Sequence, residues 1–236
     1  MSRFRIIGLA LVAVFAMGAI ASASASAAEL EYTVFPNPIV KATQVGEGEL
    51  ETEAGRDVKC TGGSTAGKIE TAKIATANSV KFTGCKSTKF GGGSCQSGAT
   101  KGEIVTSELT SELVYPVGTR TLHNQAAEAF KPKSGTEFVK FSCESLLGTE
   151  TLKVTGSVVC HIEPVNAAAS KKSTLKCVRS ASKGVQDLTE YETEAGVVTK
   201  GASLKTQGSG PETFNEGSSQ KSVTEIEVEK AAKIKA

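Results

Sequence analysis

All six cysteines of this chain, Cys60, Cys85, Cys95, Cys143, Cys160 and Cys177, lie downstream of an amino-terminal segment that reads as an export signal. Together these two features constrain the fold more than anything else in the sequence. Arg3 and Arg5 make a short cationic start, residues 6–20 form an unbroken apolar and glycine run, and residues 21–28 alternate alanine with serine. A signal peptidase cuts after this order of charged, apolar and small residues. The apolar run, about 15 residues, is shorter than the ~20 needed to span a bilayer. Cleavage is expected near Ala27 or Ala28, leaving a signal-peptide helix over 1–28 and an exported domain over 29–236. No cysteine follows the cut directly and no second apolar run appears, so a secreted, extracellular product with no stable membrane anchor is expected.

Removing the leader changes the electrostatics. The chain carries 27 Lys and Arg against 25 Asp and Glu, and loss of Arg3 and Arg5 brings the two counts level. A neutral exported chain has no long-range attraction for nucleic acid or for an anionic membrane, so neither is an expected partner. Met1 and Met17 leave with the leader, and the chain has no Trp. A core of Val, Ile, Leu, Ala and a few Phe is light for about 208 residues, and cross-links would compensate.

An even number of cysteines in an oxidising compartment reads as three disulfides. Zinc sites need Cys pairs two to four residues apart, whereas the closest pair here is Cys85 and Cys95. Fifteen connectivities are open to six cysteines. Local context favours one of them. The glycine-rich segment KSTKFGGGS would return the chain and join Cys85 to Cys95. Two antiparallel strands would join Cys160 to Cys177. Cys60 and Cys143, each ending a strand-like segment, remain to pair.

Thr, Val, Ser and Gly dominate the exported part, and no long helical repeat appears. Strand-like runs cover 49–60, 79–83, 103–115, 137–143, 153–162, 173–178 and 222–229. In the last, Ile226 and Val228 alternate with Glu225, Glu227 and Glu229, the mark of a half-buried antiparallel strand. TSEL occurs twice in a row at 106–113, where helical and strand faces both fit; the Thr and Ser content and Pro116 favour strand. Segment 123–130 (HNQAAEAF) is the candidate short helix. LETEAG at 50–55 recurs as YETEAG at 191–196, and each reads as strand, turn, strand, through duplication or through coincidence in a Thr/Glu/Gly-rich chain. Segment 201–217, with four glycines and Pro211, reads as a mobile loop. The expected fold is all-β: an antiparallel sandwich-like domain, or two packed β subdomains, held by disulfides.

Catalytic patterns are scarce. GGSTAGK at 62–68 matches the phosphate-cradling G-x-x-x-x-G-K, but Ile69 stands where a Ser or Thr would hold magnesium. A glycine-rich turn is the plainer reading. His123 and His161 are the only histidines and Asp57 and Asp187 the only aspartates, so no triad or metal site is picked out by spacing. Ser180 with Lys183 and Ser218 with Lys221 fit S-x-x-K without the companion motifs. His161 follows Cys160 on a strand and should face away from it. With no Trp and only Tyr32, Tyr115 and Tyr191, an aromatic platform for glycans is disfavoured. No catalytic residue, cofactor or metal ligand is expected.

The segments VKFTGC (80–85), GEIVTSEL (102–109), FVKFSC (138–143), VTGSVV (154–159) with PVN (164–166), and KGVQ (183–186) occur in this order, ahead of an acidic strand and a closing IKA. In this the chain resembles a family of secreted, cysteine-containing all-β proteins from high-GC Gram-positive bacteria. The resemblance implies a four-cysteine core of Cys60, Cys85, Cys95 and Cys143, with Cys160 and Cys177 as an added pair. It implies no activity. The expected role is a disulfide-stabilised binding or envelope-associated domain facing a cell-envelope or extracellular component. A secreted hydrolase with a cryptic site and a structural matrix protein are the alternatives.

Overall fold

The computed structural model describes residues 29–33, 37–89, 92–145 and 148–236; the expected leader lies outside the described residues. Every regular element among them is a strand. In chain order these are β1 (Glu31–Tyr32), β2 (Ile39–Thr52), β3 (Asp57–Cys60), β4 (Gly62–Ile69), β5 (Ile74–Ala77), β6 (Lys81–Thr83), β7 (Cys95–Gln96), β8 (Ile104–Val105) and β9 (Leu109–Pro116). The second half contributes β10 (Ala126–Pro132), β11 (Glu137–Ser145), β12 (Gly148–Gly156), β13 (Val158–Glu163), β14 (Ser170–Cys177), β15 (Glu190–Glu192), β16 (Val198–Lys200), β17 (Leu204–Ser209), β18 (Phe214–Ala232) and β19 (Ile234–Lys235).

Eight of these strands close into an antiparallel barrel. The ring runs β2–β4–β5–β9–β10–β13–β14–β18 and returns to β2. The closing ladder joins the first long strand to the last, with Val40 opposite Val228 and Ala42 opposite Ile226. The expected sandwich is therefore corrected to a barrel. A sandwich leaves sheet edges, whereas pairing β2 with both β4 and β18 leaves none in this ring.

The two long strands continue past the barrel into a second lobe. There β2 pairs β3, β18 pairs β17, and β12 links β17 to β11. The ladder returns to β3 through β7 and the bridges of Lys86 with Ser94 and with Lys59. The crossover is a bulge. Val45 faces Val223 and Glu49 faces Lys221, so three residues of β2 oppose one of β18. Gly46 takes φ +73° at this bend, where an L side chain would be strained.

Alternation sets the inside of the barrel. On β18, Ile226 and Val228 point in while Glu225, Glu227 and Glu229 point out, as the sequence predicts. On β10, Ala126, Glu128 and Phe130 share the inner face. Ala127 and Ala129 sit outside, buried in a small cluster with Val114, Val159 and Ala202. This explains why 123–130 reads as a helix. Alanine favours helix, and a strand covered on both faces loses its polar alternation.

Two further expectations change. The GGSTAGK stretch is strand β4, not a turn, with amides committed to ladders with β2, β5 and β6. Its Gly67 lies so near β5 that a Cβ would stand 1.8 Å from the Thr76 carbonyl oxygen. The expected mobile loop at 201–217 is the hairpin of β17 and β18, in which Gly208 faces Phe214. The two TEAG segments do form matching hairpins. Gly55 and Gly196 both have positive φ and donate to Thr52 and Thr193, whose own amides donate to the carbonyls of Arg56 and Val197.

Three disulfides are formed: Cys60–Cys85, Cys95–Cys143 and Cys160–Cys177. The last was expected; the expected Cys60–Cys143 and Cys85–Cys95 are corrected. All three bonds join residues directly opposed on neighbouring antiparallel segments, with Cα atoms 4.0, 4.0 and 4.3 Å apart. Lys59 and Lys86 exchange both backbone hydrogen bonds. Cys60 and Cys85, one step along, are therefore a non-hydrogen-bonded pair, the close kind. Cys95 instead donates its N–H to the Cys85 carbonyl at 3.0 Å, the wider spacing. The KSTKFGGGS segment does turn the chain back, but ladder alternation sends each sulfur outward to the next strand.

Candidate functional site in the barrel lumen

Eight strands make a barrel just wide enough to fill with side chains or to hold one small ligand. Here a cavity of ≈ 140 Å³ remains inside the ring. Bulky residues such as Phe130, Leu175 and Ile226 form one wall, and small ones such as Ala42, Ala75 and Ala77 form the other. The space follows from that imbalance, because the alanines leave volume that the facing side chains do not reach.

The chain's outer segments lie across one end. β1 pairs β19 as a separate two-stranded sheet, with Tyr32 opposite Ile234. Leu30, Tyr32 and Ile234 are buried in the core. Tyr32 donates its amide to the Ala72 carbonyl at 2.7 Å, and Asn166 exchanges hydrogen bonds with the backbone of Ala236. At the other end Phe82, Thr106, Phe138 and Gln220 form a partition, shared with a second cavity of ≈ 70 Å³ in the second lobe. Gln44 bonds the Cys60 carbonyl through Nε2 at 3.0 Å, while its buried Oε1 has no hydrogen-bond partner among the described residues.

Against this apolar lining stands one carboxyl. Glu128 is 5 % exposed and lies on β10 between Leu113 of β9 and Cys160 of β13. The buried Tyr32 hydroxyl donates to Glu128 Oε1, and Ser111 is its second hydrogen-bonding partner. Desolvation raises the Glu128 pKa, and the two hydrogen bonds oppose this only in part. Burial, reinforced by Glu128, holds the Tyr32 hydroxyl well above its ordinary value. The pair is a hydrogen-bonded polar anchor buried in an otherwise largely apolar space.

The residues weighed from sequence lie elsewhere. His161 faces outward, opposite to Cys160, with Nε2 3.6 Å from Asp187 Oδ2. His123 sits in a turn with φ +50° and meets the edge of Tyr115. Ser218 is on β18, hydrogen-bonded to Thr206 at 2.8 Å, and Ser180 caps a local turn. None of these serines is brought to either histidine. Among the described residues no three His, Cys, Asp or Glu side chains gather as metal ligands. An outer concavity of ≈ 700 Å³ beside Lys140, Lys153 and Phe214 is open to solvent on the second lobe. The sequence reading passed over Glu128, Tyr32 and Ser111. The available signal was a single acid in the apolar run AAEAF, which marks an inward carboxyl once that run is taken as a strand.

The chain matches no family model, no curated protein and no solved structure.

Proposed function

We propose that this protein is an exported binding protein that holds one small, largely apolar molecule in the lumen of its eight-stranded barrel. The observation that carries this reading is the ≈ 140 Å³ apolar cavity enclosed by the closed ring. A dry apolar cavity of about 150 Å³ is known to take benzene, so the fitting ligand has roughly one ring or a short alkyl chain. Secretion accords with the three disulfides, which persist in oxidising surroundings. Binding is the assigned role because the feature that carries the reading is an apolar volume inside the ring.

Titration of the oxidised protein with toluene, followed by NMR shifts of lumen methyl groups, tests it. Saturable 1:1 binding is expected, with Kd on the order of 0.1–1 mM for so few heavy atoms. Ala42→Phe, which fills the space from the small-residue wall, should abolish it without unfolding the barrel. Absence of saturable shifts in the wild type would overturn the reading.

A further inference from the structure

We infer that Glu128, Tyr32 and Ser111 form a recognition anchor, so that the lumen selects apolar molecules bearing a hydrogen-bond-donating hydroxyl over plain hydrocarbons. This rests on the lumen reading above and adds the chemistry of the ligand head.

Three observations converge. Among the described residues Glu128 is the only carboxyl lining the cavity, and no Lys, Arg, His or Asp of them lines it. Its cross-strand neighbours on the inner face are Leu113 and Cys160, so no cation offsets its burial. A hydrocarbon side chain at this position would give a better-packed core without the desolvation cost. The carboxyl is also unsaturated as a hydrogen-bonding group. A carboxyl keeps acceptor capacity in either protonation state, about four sites when ionised, and Tyr32 and Ser111 are its two hydrogen-bonding partners. All three residues line the cavity, which leaves the remaining lone pairs to a donor inside the lumen.

A site built this way discriminates by what it leaves unpaired. A hydroxyl entering a purely apolar cavity loses its water without replacement and binds more weakly than its methyl isostere. Beside Glu128 the same hydroxyl regains a strong acceptor, and the hydrocarbon leaves that acceptor unmatched.

Phenol and toluene are matched in size and make the test. Each is titrated into the oxidised wild-type protein, into Glu128→Leu and into Ser111→Ala, with folding checked by circular dichroism. In the wild type, phenol should bind at least as tightly as toluene. In Glu128→Leu, phenol should weaken at least tenfold while toluene changes less than threefold, and Ser111→Ala should fall between. If toluene binds and phenol is tenfold weaker in the wild type, the anchor is overturned while the lumen site stands. If neither ligand binds, both readings fall. An unchanged phenol-to-toluene ratio in Glu128→Leu also overturns the anchor. Should Glu128→Leu fail to fold, the wild-type ratio and Ser111→Ala still decide it.

Discussion

Cys95 donates its backbone N–H to the carbonyl of Cys85 at 3.0 Å, yet the two residues share no disulfide; each is bonded to the strand on its far side. Four cysteines thus lie in one row across four strand segments, joined in outer pairs. Cleavage after Lys86 and Lys89, which separate Cys85 from Cys95 in sequence, should leave these two in different linked peptides. Non-reducing mass spectrometry is expected to find Cys60 with Cys85 and Cys95 with Cys143. A peptide linking Cys85 to Cys95 after that cleavage would contradict the ladder argument.

The same pairing orders the disulfides by stability. The bonds close loops with sequence separations of 25, 48 and 17. Loop-closure entropy then gives about 3.5, 4.1 and 3.2 kcal/mol as upper values. Paired Cys→Ala variants compared by urea unfolding should show the Cys95–Cys143 loss as the largest. It is the bond that ties β7 to β11 and so helps close the second lobe.

Glu128 should make stability fall as pH rises. Its folded-state pKa lies above the ordinary 4.5 because burial disfavours the charged form. Between 4.5 and that raised value the native state holds a proton that the unfolded chain has released. Unfolding there gives up a proton, so stability is fullest below 4.5 and declines through this window. Glu128→Gln cannot ionise and should escape the decline. Its advantage over wild type in urea midpoint should grow from pH 4 to pH 7. Parallel curves would show that Glu128 ionises as freely in the fold as out of it.

Tyr32→Phe removes the hydroxyl that meets Glu128 and loosens the β1–β19 sheet across the barrel end. A buried acceptor left short of a partner costs about 1–3 kcal/mol. In a Glu128→Leu background the same substitution should cost close to nothing, because no acceptor remains. A double-mutant cycle by urea unfolding reads the coupling directly. Equal losses in both backgrounds would mean that Tyr32 acts by packing alone.

Local chemistry in the sequence was enough for some elements and not for others. The alternation of Ile226 and Val228 with three glutamates and the turn signals of the two TEAG segments are short-range features, and both match the structure. The helix expected at 123–130 failed because Ala127 and Ala129 are covered by residues such as Ala202, far along the chain. Closure into a barrel depends on Val40 meeting Val228, a pairing that no window of sequence contains. Glu128 was hidden for the same reason: its meaning comes from facing inward between Leu113 and Cys160.

The junction between the two lobes should depend on Gln186. Along one side of β18, the ladder with β17 ends at Ser218 and that with β14 begins at Ser222. Gln220 falls in the gap, and the buried Gln186 side chain takes the place of a strand there. Its Oε1 accepts from the Gln220 amide at 2.9 Å, and its Nε2 donates to the Gln220 carbonyl at 3.0 Å and to that of Val178. Gln186→Leu keeps the bulk but strips the amide and carbonyl of Gln220 of these bonds, while the Val178 carbonyl still accepts from the Asp187 amide. Each buried backbone group left unpaired costs about 1–3 kcal/mol, so a loss of at least about 2 kcal/mol is expected in urea unfolding. Gln207→Leu, on the outward face of β17, is the control and should stay within about 0.5 kcal/mol. Hydrogen exchange at Gln220 should rise in Gln186→Leu before exchange at Leu50, its partner on β2. Equal stability of the two variants would show that water replaces the side chain at the junction.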